Sequence, residues 1–194
     1  GGRTLFKRYS LAIARGTPIA LTGPSGISKS TLFRVIAGIW PFARGRMEQP
    51  EGKVMFLPQR PYMPLGSLKR AAVYPLQVDS VADATLRELL GVVGLGALSD
   101  QLDDVDNWTL RLSGGEQQRL ALCRALIGQP DWLFLDEAMS ALDGAAVASL
   151  FAALRRLLPQ TQIVSITHDA ALAALHPRHL ALTPDQGECP EALT

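Results

Sequence analysis

Short apolar runs alternate along this chain with segments whose apolar residues recur every three or four positions, and loops rich in glycine, proline and polar residues separate them. That rhythm of strand, loop and helix predicts an α/β fold with a mostly parallel sheet. Pro18 to Thr22 reads as a short buried strand; Gly23-Pro24-Ser25-Gly26 breaks it, and a helical pattern follows from Lys29 to Ile39. Lys53 to Leu57 is a second strand. After it, Pro58, Pro61, Pro64 and Pro75 keep the chain irregular, like a surface elbow, around a short helix near Ser67 to Val73. Val81 to Val93 has helical periodicity and leads through Gly94 and Gly96 into an acidic stretch, Asp100, Asp103, Asp104 and Asp106. Residues 59–112 therefore read as an approximate helical subdomain set into a core of residues 1–58 and 113–194.

Ser113-Gly114-Gly115-Glu116 has the spacing of a capping box, with Ser113 as N-cap and Glu116 reaching back, ahead of a helix over Gln117 to Ile127. An exposed helix start of this kind binds anions. Trp132 to Leu135 is an apolar strand ending in Asp136-Glu137, and Ile163 to Thr167 is another ending in His168-Asp169. Ligands of open α/β sheets sit beyond the carboxyl ends of the strands, so the loop at Gly23, the pair at Asp136 and His168 are expected to converge there.

Composition narrows the function. The 194 residues carry 19 Lys+Arg against 18 Asp+Glu, a net charge of +1, so there is no basic stripe for a nucleic acid. Any ligand must be recognised locally. The two cysteines, Cys123 and Cys189, lack metal-ligand spacing and fit a reducing compartment. No apolar run reaches the roughly 18 to 20 residues that span a bilayer, and Gly1-Gly2-Arg3 does not begin a signal peptide.

Gly23-Pro24-Ser25-Gly26-Ile27-Ser28-Lys29-Ser30-Thr31 approximates G-x-x-x-x-G-K-S/T, in which backbone N–H groups wrap phosphates. Lys29 would meet the β- and γ-phosphates and Ser30 the magnesium ion, with the helix dipole adding to the attraction. Ser28 stands where the motif expects its last glycine. If that backbone needs φ > 0, its side chain costs roughly 1 to 2 kcal/mol. Weakened ATP binding is the expectation, and a Ser28→Gly variant with unchanged affinity in a nucleotide titration would remove it. Asp136 is placed to hold Mg²⁺ directly or through water, and Glu137 to act as base or positioner for attacking water. Without the glycine loop, the same pair would be read as ordinary strand-end residues. His168 can contact the γ-phosphate and orient the water, whereas His176 and His179 read as structure or surface.

Taken in order, these residues resemble the ATP-binding-cassette family over nearly the whole chain. The most specific piece is Leu112-Ser113-Gly114-Gly115-Glu116-Gln117-Gln118-Arg119, which looks like the family's signature motif. Gln59 in LPQRP matches the glutamine loop that senses metal and γ-phosphate and couples to the membrane subunit, and Ser140-Ala141-Leu142-Asp143 matches the D-loop. Met139 departs mildly from the usual residue. The resemblance implies a P-loop ATPase core with a helical subdomain, ATP as substrate and Mg²⁺ as cofactor. It also implies a second copy packed head to tail, so that Ser113, Gly114, Gly115 and Glu116 meet the ATP held by the partner's Lys29.

The run from Phe56 to Pro64, with Gly66-Ser67-Leu68 and Tyr74-Pro75, is similar to the branch containing peroxisomal fatty-acyl and bacterial vitamin B12 or antimicrobial-peptide transporters. There the ATPase usually follows a membrane domain in one chain. This sequence is accordingly expected to be a domain without its membrane helices, working at the cytoplasmic face of the inner membrane, with Arg60 to Leu68 docking the membrane part. The family's adenine-stacking aromatic is not matched well by Phe6 or Tyr9, a further reason to expect weak binding. Two other readings share part of this pattern: a soluble cassette ATPase acting away from membranes, and a nucleotide-responsive scaffold with impaired hydrolysis.

Overall fold

The computed structural model describes residues 13, 15–23, 29–36 and 51–182. Its centre is a five-stranded parallel sheet built from β1 (Ile19–Thr22), β2 (Val54–Leu57), β5 (Trp132–Asp136), β6 (Gln162–Ile166) and β7 (Arg178–Ala181), in the order β2-β5-β6-β1-β7. A two-stranded antiparallel ladder joins β3 (Gly66–Ser67) to β4 (Val105–Asp106). The helices are α1 (Lys29–Ile36), α2 (Leu68–Val73), α3 (Asp83–Val92), α4 (Trp108–Arg111), α5 (Gly114–Gly128), α6 (Gly144–Leu157) and α7 (Ala170–Ala174).

Alternation along β5 shows how the sheet is covered on both faces. Trp132 and Phe134 enter one apolar cluster with Ile19, Leu21, Phe33, Val164 and Ile166. Leu133 and Leu135 enter the other, with side chains of α2, α3, α5 and α6. A strand buried on both sides carries apolar residues in succession, so WLFL shows no period of two. On the α1 face, Phe33 meets the rings of Phe134 and Phe56 edge-on at 5.2 and 6.3 Å. Residues between β2 and α5 contribute Met63, Leu68, Leu86, Leu90 and Trp108 to the same cluster that holds Leu120, Leu133 and Phe151.

Helix α5 begins at Gly114, three residues before the start read from periodicity, because Ser113 caps it there. The Ser113 hydroxyl accepts from the Glu116 N–H at 3.3 Å, and the Glu116 carboxylate accepts from the Ser113 N–H at 2.8 Å. The proline-rich stretch after β2 is only partly a surface elbow. Pro61, Met63 and Pro64 are buried, while Tyr62 and Leu65 are 64% and 71% exposed. Buried Arg124 of α5 holds that stretch in place. It donates to the Tyr62 carbonyl at 2.8 Å and twice to the Ala71 carbonyl, at 2.9 and 2.6 Å. Ala71 lies in the last turn of α2, so the guanidinium supplies a bond that the helix cannot make for itself.

Candidate functional site

Register places four loops side by side. Leu21 pairs with Ile166, Ile166 with Asp136, and Leu135 with Leu57. Gly23, His168, Glu137 and Gln59 follow those residues by one or two positions, so all leave the sheet at its carboxyl edge, where ligands of such sheets bind. Gly23 is a glycine for a local reason. Its φ is 148°, and a Cβ there would lie 2.6 Å from the Leu182 carbonyl oxygen. Pro24, Ser25, Gly26, Ile27 and Ser28 lie outside the described residues, as do Phe6, Tyr9 and Cys189.

Lys29 opens α1, and its Nζ donates to the Gly23 carbonyl at 2.8 Å. Burial lowers its pKa, against the opposing pull of the Glu137 and Asp136 charges. Ser30 Oγ donates to Asp136 Oδ1 at 2.8 Å. Asp136 is 6% exposed, and burial is the main cause of its raised pKa; the Glu137 charge adds to this, while the Ser30 bond, Arg34 and Lys29 oppose it. Thr31 follows in α1, half-buried.

Glu137 sits at φ 52°, a left-handed conformation that costs a non-glycine residue about 1 to 2 kcal/mol. Gln59 Nε2 donates to Glu137 Oε2 at 3.0 Å, and His168 Nε2 lies 3.4 Å from Oε1. Gln59, Glu137 and His168 thus form one contiguous polar group, beside the Lys29–Ser30–Asp136 group.

Ser113 and Gly114 are exposed at the start of α5, with Gly115 and Glu116 half-buried behind them. The side-chain bonds of Ser113 and Glu116 are to each other, and these bonds hold the Glu116 pKa below its usual value. The structure does not draw this group into the Glu137 cluster of the same chain. Asp143 N-caps α6 by accepting from the Ala146 N–H at 2.9 Å, a role its D-loop assignment did not include. Ser140 Oγ lies 3.5 Å from Gln59 Nε2.

Ser30, Asp136 and Gln59 offer a hydroxyl, a carboxylate and an amide oxygen, a hard-oxygen set that suits Mg²⁺. Among the described residues, no three His, Cys, Asp or Glu side chains gather as a protein-only metal cage. A magnesium site completed by substrate phosphates needs only one or two carboxylates.

Two residues, one named in the sequence only within the signature motif and the other read there as structure or surface, make contacts that the sequence did not show. Gln118, 3% exposed, bonds to the loop of Gln59 and to the loop that holds Glu137 and Ala141. His176 is buried, with Nδ1 2.9 Å from the Leu172 carbonyl and Nε2 2.8 Å from Ser165 Oγ. A carbonyl only accepts, so Nδ1 carries the proton and the Ser165 hydroxyl donates to Nε2. The signature motif does not by itself say what Gln118 touches, and His176, two residues beyond α7, has no local pattern that marks it as buried.

The family model described as ABC transporter matches residues 6–140, from ahead of the glycine loop to Ser140. The chain belongs to the ABC transporter family. This ABC domain is 40% identical over 187 residues to an uncharacterized ABC transporter ATP-binding protein of Haemophilus influenzae, covering 96% of the chain and 31% of that protein. It is 32% identical over 188 residues to human ATP-binding cassette sub-family D member 3, covering 92% of the chain and 28% of that protein. The fold matches a bacterial Atm1-family ABC exporter solved with ATP bound, at a TM-score of 0.78 and 24% identity over 93% of this chain and 34% of that one. The ABC domain spans under a third of the length of these two curated relatives. No helix among the described residues is long and apolar enough to cross a membrane.

Proposed function

We propose that this domain binds ATP with Mg²⁺ and hydrolyses its terminal phosphoanhydride bond to drive a membrane-spanning partner domain. The observation that carries the reading is the placement of Lys29, Ser30, Asp136, Glu137, Gln59 and His168 on one edge of the sheet, with Lys29 bonded to Gly23, Ser30 to Asp136, and Gln59 and His168 against Glu137. Lys29 supplies a partly desolvated cation for the β- and γ-phosphates, backed by the start of α1. Ser30, Asp136 and Gln59 would hold Mg²⁺, which when bound neutralises phosphate charge as a Lewis acid. Glu137 accepts a proton from the attacking water or orients it, while Gln59 and His168 fix its two carboxylate oxygens.

The exposed start of α5 at Ser113 and Gly114 is open to a second copy, and its N–H groups suit a partner-held γ-phosphate. Hydrolysis then requires a head-to-tail dimer, since each site draws part of its stabilisation from the other chain. Exposed Tyr62 and Leu65 support Arg60 to Leu68 as the docking surface for the membrane part, which would hold the domain at the cytoplasmic face of the membrane.

Phosphate release from the complete protein, with its membrane portion, tests this. Glu137→Gln is expected to lower kcat by about 10²- to 10⁴-fold while ATP still binds. Absence of hydrolysis in the wild type, with Glu137→Gln indistinguishable from it, would replace the enzyme with a nucleotide-responsive scaffold.

A further inference from the structure

The geometry points to Gln118 as the positioning residue that locks the glutamine loop and the D-loop around Glu137; we propose it as such, resting on the hydrolytic reading above. Gln118 lies on the first turns of α5, and its amide leaves the helix to meet other segments. Its Oε1 accepts from the Ala141 N–H at 2.9 Å. A backbone N–H can only donate, so this bond fixes which end of the amide is oxygen. Nε2 then donates to the Gln59 carbonyl at 3.0 Å, and its second N–H is shared between Ser140 Oγ at 3.3 Å and the Glu137 carbonyl at 3.4 Å.

One side chain thereby joins two loops that carry groups assigned to the reaction, the loop of Gln59 and the loop that runs from Glu137 to Asp143. The Gln59 side chain also spans the two loops, to Glu137 Oε2 and Ser140 Oγ, and a cavity of about 210 Å³ opens beside the Gln118 amide, lined in part by Gln59, Arg60, Gly114 and Ala141. Glu137 needs such bracing. Its left-handed backbone is held at the N–H by the Ile166 carbonyl, at 3.0 Å, and at the carbonyl by the Ser140 N–H, at 3.1 Å, together with Gln118. A strained conformation persists only where its surroundings over-determine it. Gln118 touches none of the atoms expected to react. It acts through the placement of Gln59 and Glu137, and a misplacement on the order of 1 Å costs up to 100-fold in rate.

The test compares wild type, Gln118→Met and Gln118→Glu in the complete protein, measuring kcat, KM and equilibrium ATP binding. Methionine keeps the volume and removes every bond; glutamate keeps the acceptor for Ala141 and removes both donors. Both variants are expected to lose about 10- to 100-fold in kcat, with ATP affinity changed less than about threefold. Rates within about twofold of wild type in Gln118→Met would overturn the proposal. So would a loss of ATP affinity in proportion to the loss of rate, including a chain that no longer folds, because that assigns Gln118 to general stability. A wild type whose hydrolysis is absent, or unaffected by Glu137→Gln, sinks the hydrolytic reading itself. Normal Glu137-dependent hydrolysis that is indifferent to Gln118 sinks only this proposal.

Discussion

Replacing Arg124 by methionine removes three hydrogen bonds to backbone carbonyls while keeping most of the apolar volume, and among the described residues no carboxylate is bonded to this guanidinium. The two carbonyls bear the loss unequally. The bond at the Tyr62 carbonyl is only part-buried, so water can take over there, and the net loss is about 0.5 to 1.5 kcal/mol. Ala71 is fully buried in the last turn of α2, so its carbonyl is stranded, at about 1 to 3 kcal/mol. Against these stands the desolvated guanidinium, whose burial draws its pKa down to about 10 and whose removal relieves that penalty. The net expectation is a destabilisation of about 2 kcal/mol, at the low end of the combined losses. Equilibrium unfolding in guanidinium chloride measures it, with the midpoint falling and the slope unchanged. Arg124→Lys is expected to fall between the two, because one ammonium cannot fork across both carbonyls. A methionine variant as stable as wild type, or more so, would refute the reasoning by showing that desolvation outweighs the carbonyl bonds.

Gly115→Ala places a Cβ 3.0 Å from the Ala141 carbonyl and 3.4 Å from Leu142, whereas Gly114→Ala meets nothing nearer than 3.7 Å. Thermal denaturation should show the former destabilised by about 1 kcal/mol after its gain in helix propensity, and the latter unchanged or slightly stabilised; equal effects would contradict the close approach. Burial holds the His176 pKa below 6.5, against the bond to Leu172. The unfolded chain therefore binds the proton first on acidification, and stability contributed by neutral His176 falls as pH drops below about 6.5 until the folded pKa is passed. Urea midpoints of wild type and His176→Gln between about pH 7.5 and 5 isolate this slope, and parallel curves would exclude it.

Much of the architecture is written locally. β1, β2, β5 and β6 lie within a residue or so of the runs at Pro18, Lys53, Trp132 and Ile163, because each is a short apolar segment ended by polar or glycine residues. The Ser113 cap was legible because its partner Glu116 is three residues away. The three-residue error at the start of α5 arose because Gly114 and Gly115 favour no helix by propensity and are held helical by that cap. α6, β7 and α7 were not foreseen; β7 and α7 are short and weakly patterned, and stable only through their neighbours in the sheet and core.

The sequence by itself determined which chemical groups this ABC domain owns and the order in which they follow strands and helix starts, since motif spacing and apolar runs are properties of neighbours along the chain. Tertiary structure decided which of them touch. Gln59 reaches Glu137 across 78 positions, Ser30 reaches Asp136 across 106, and Gln118 ties loops from both sides of itself. Those distances follow from strand order and register, which pair residues far apart in the chain, and the resulting burial then sets the ionisation of Lys29, Asp136 and His176.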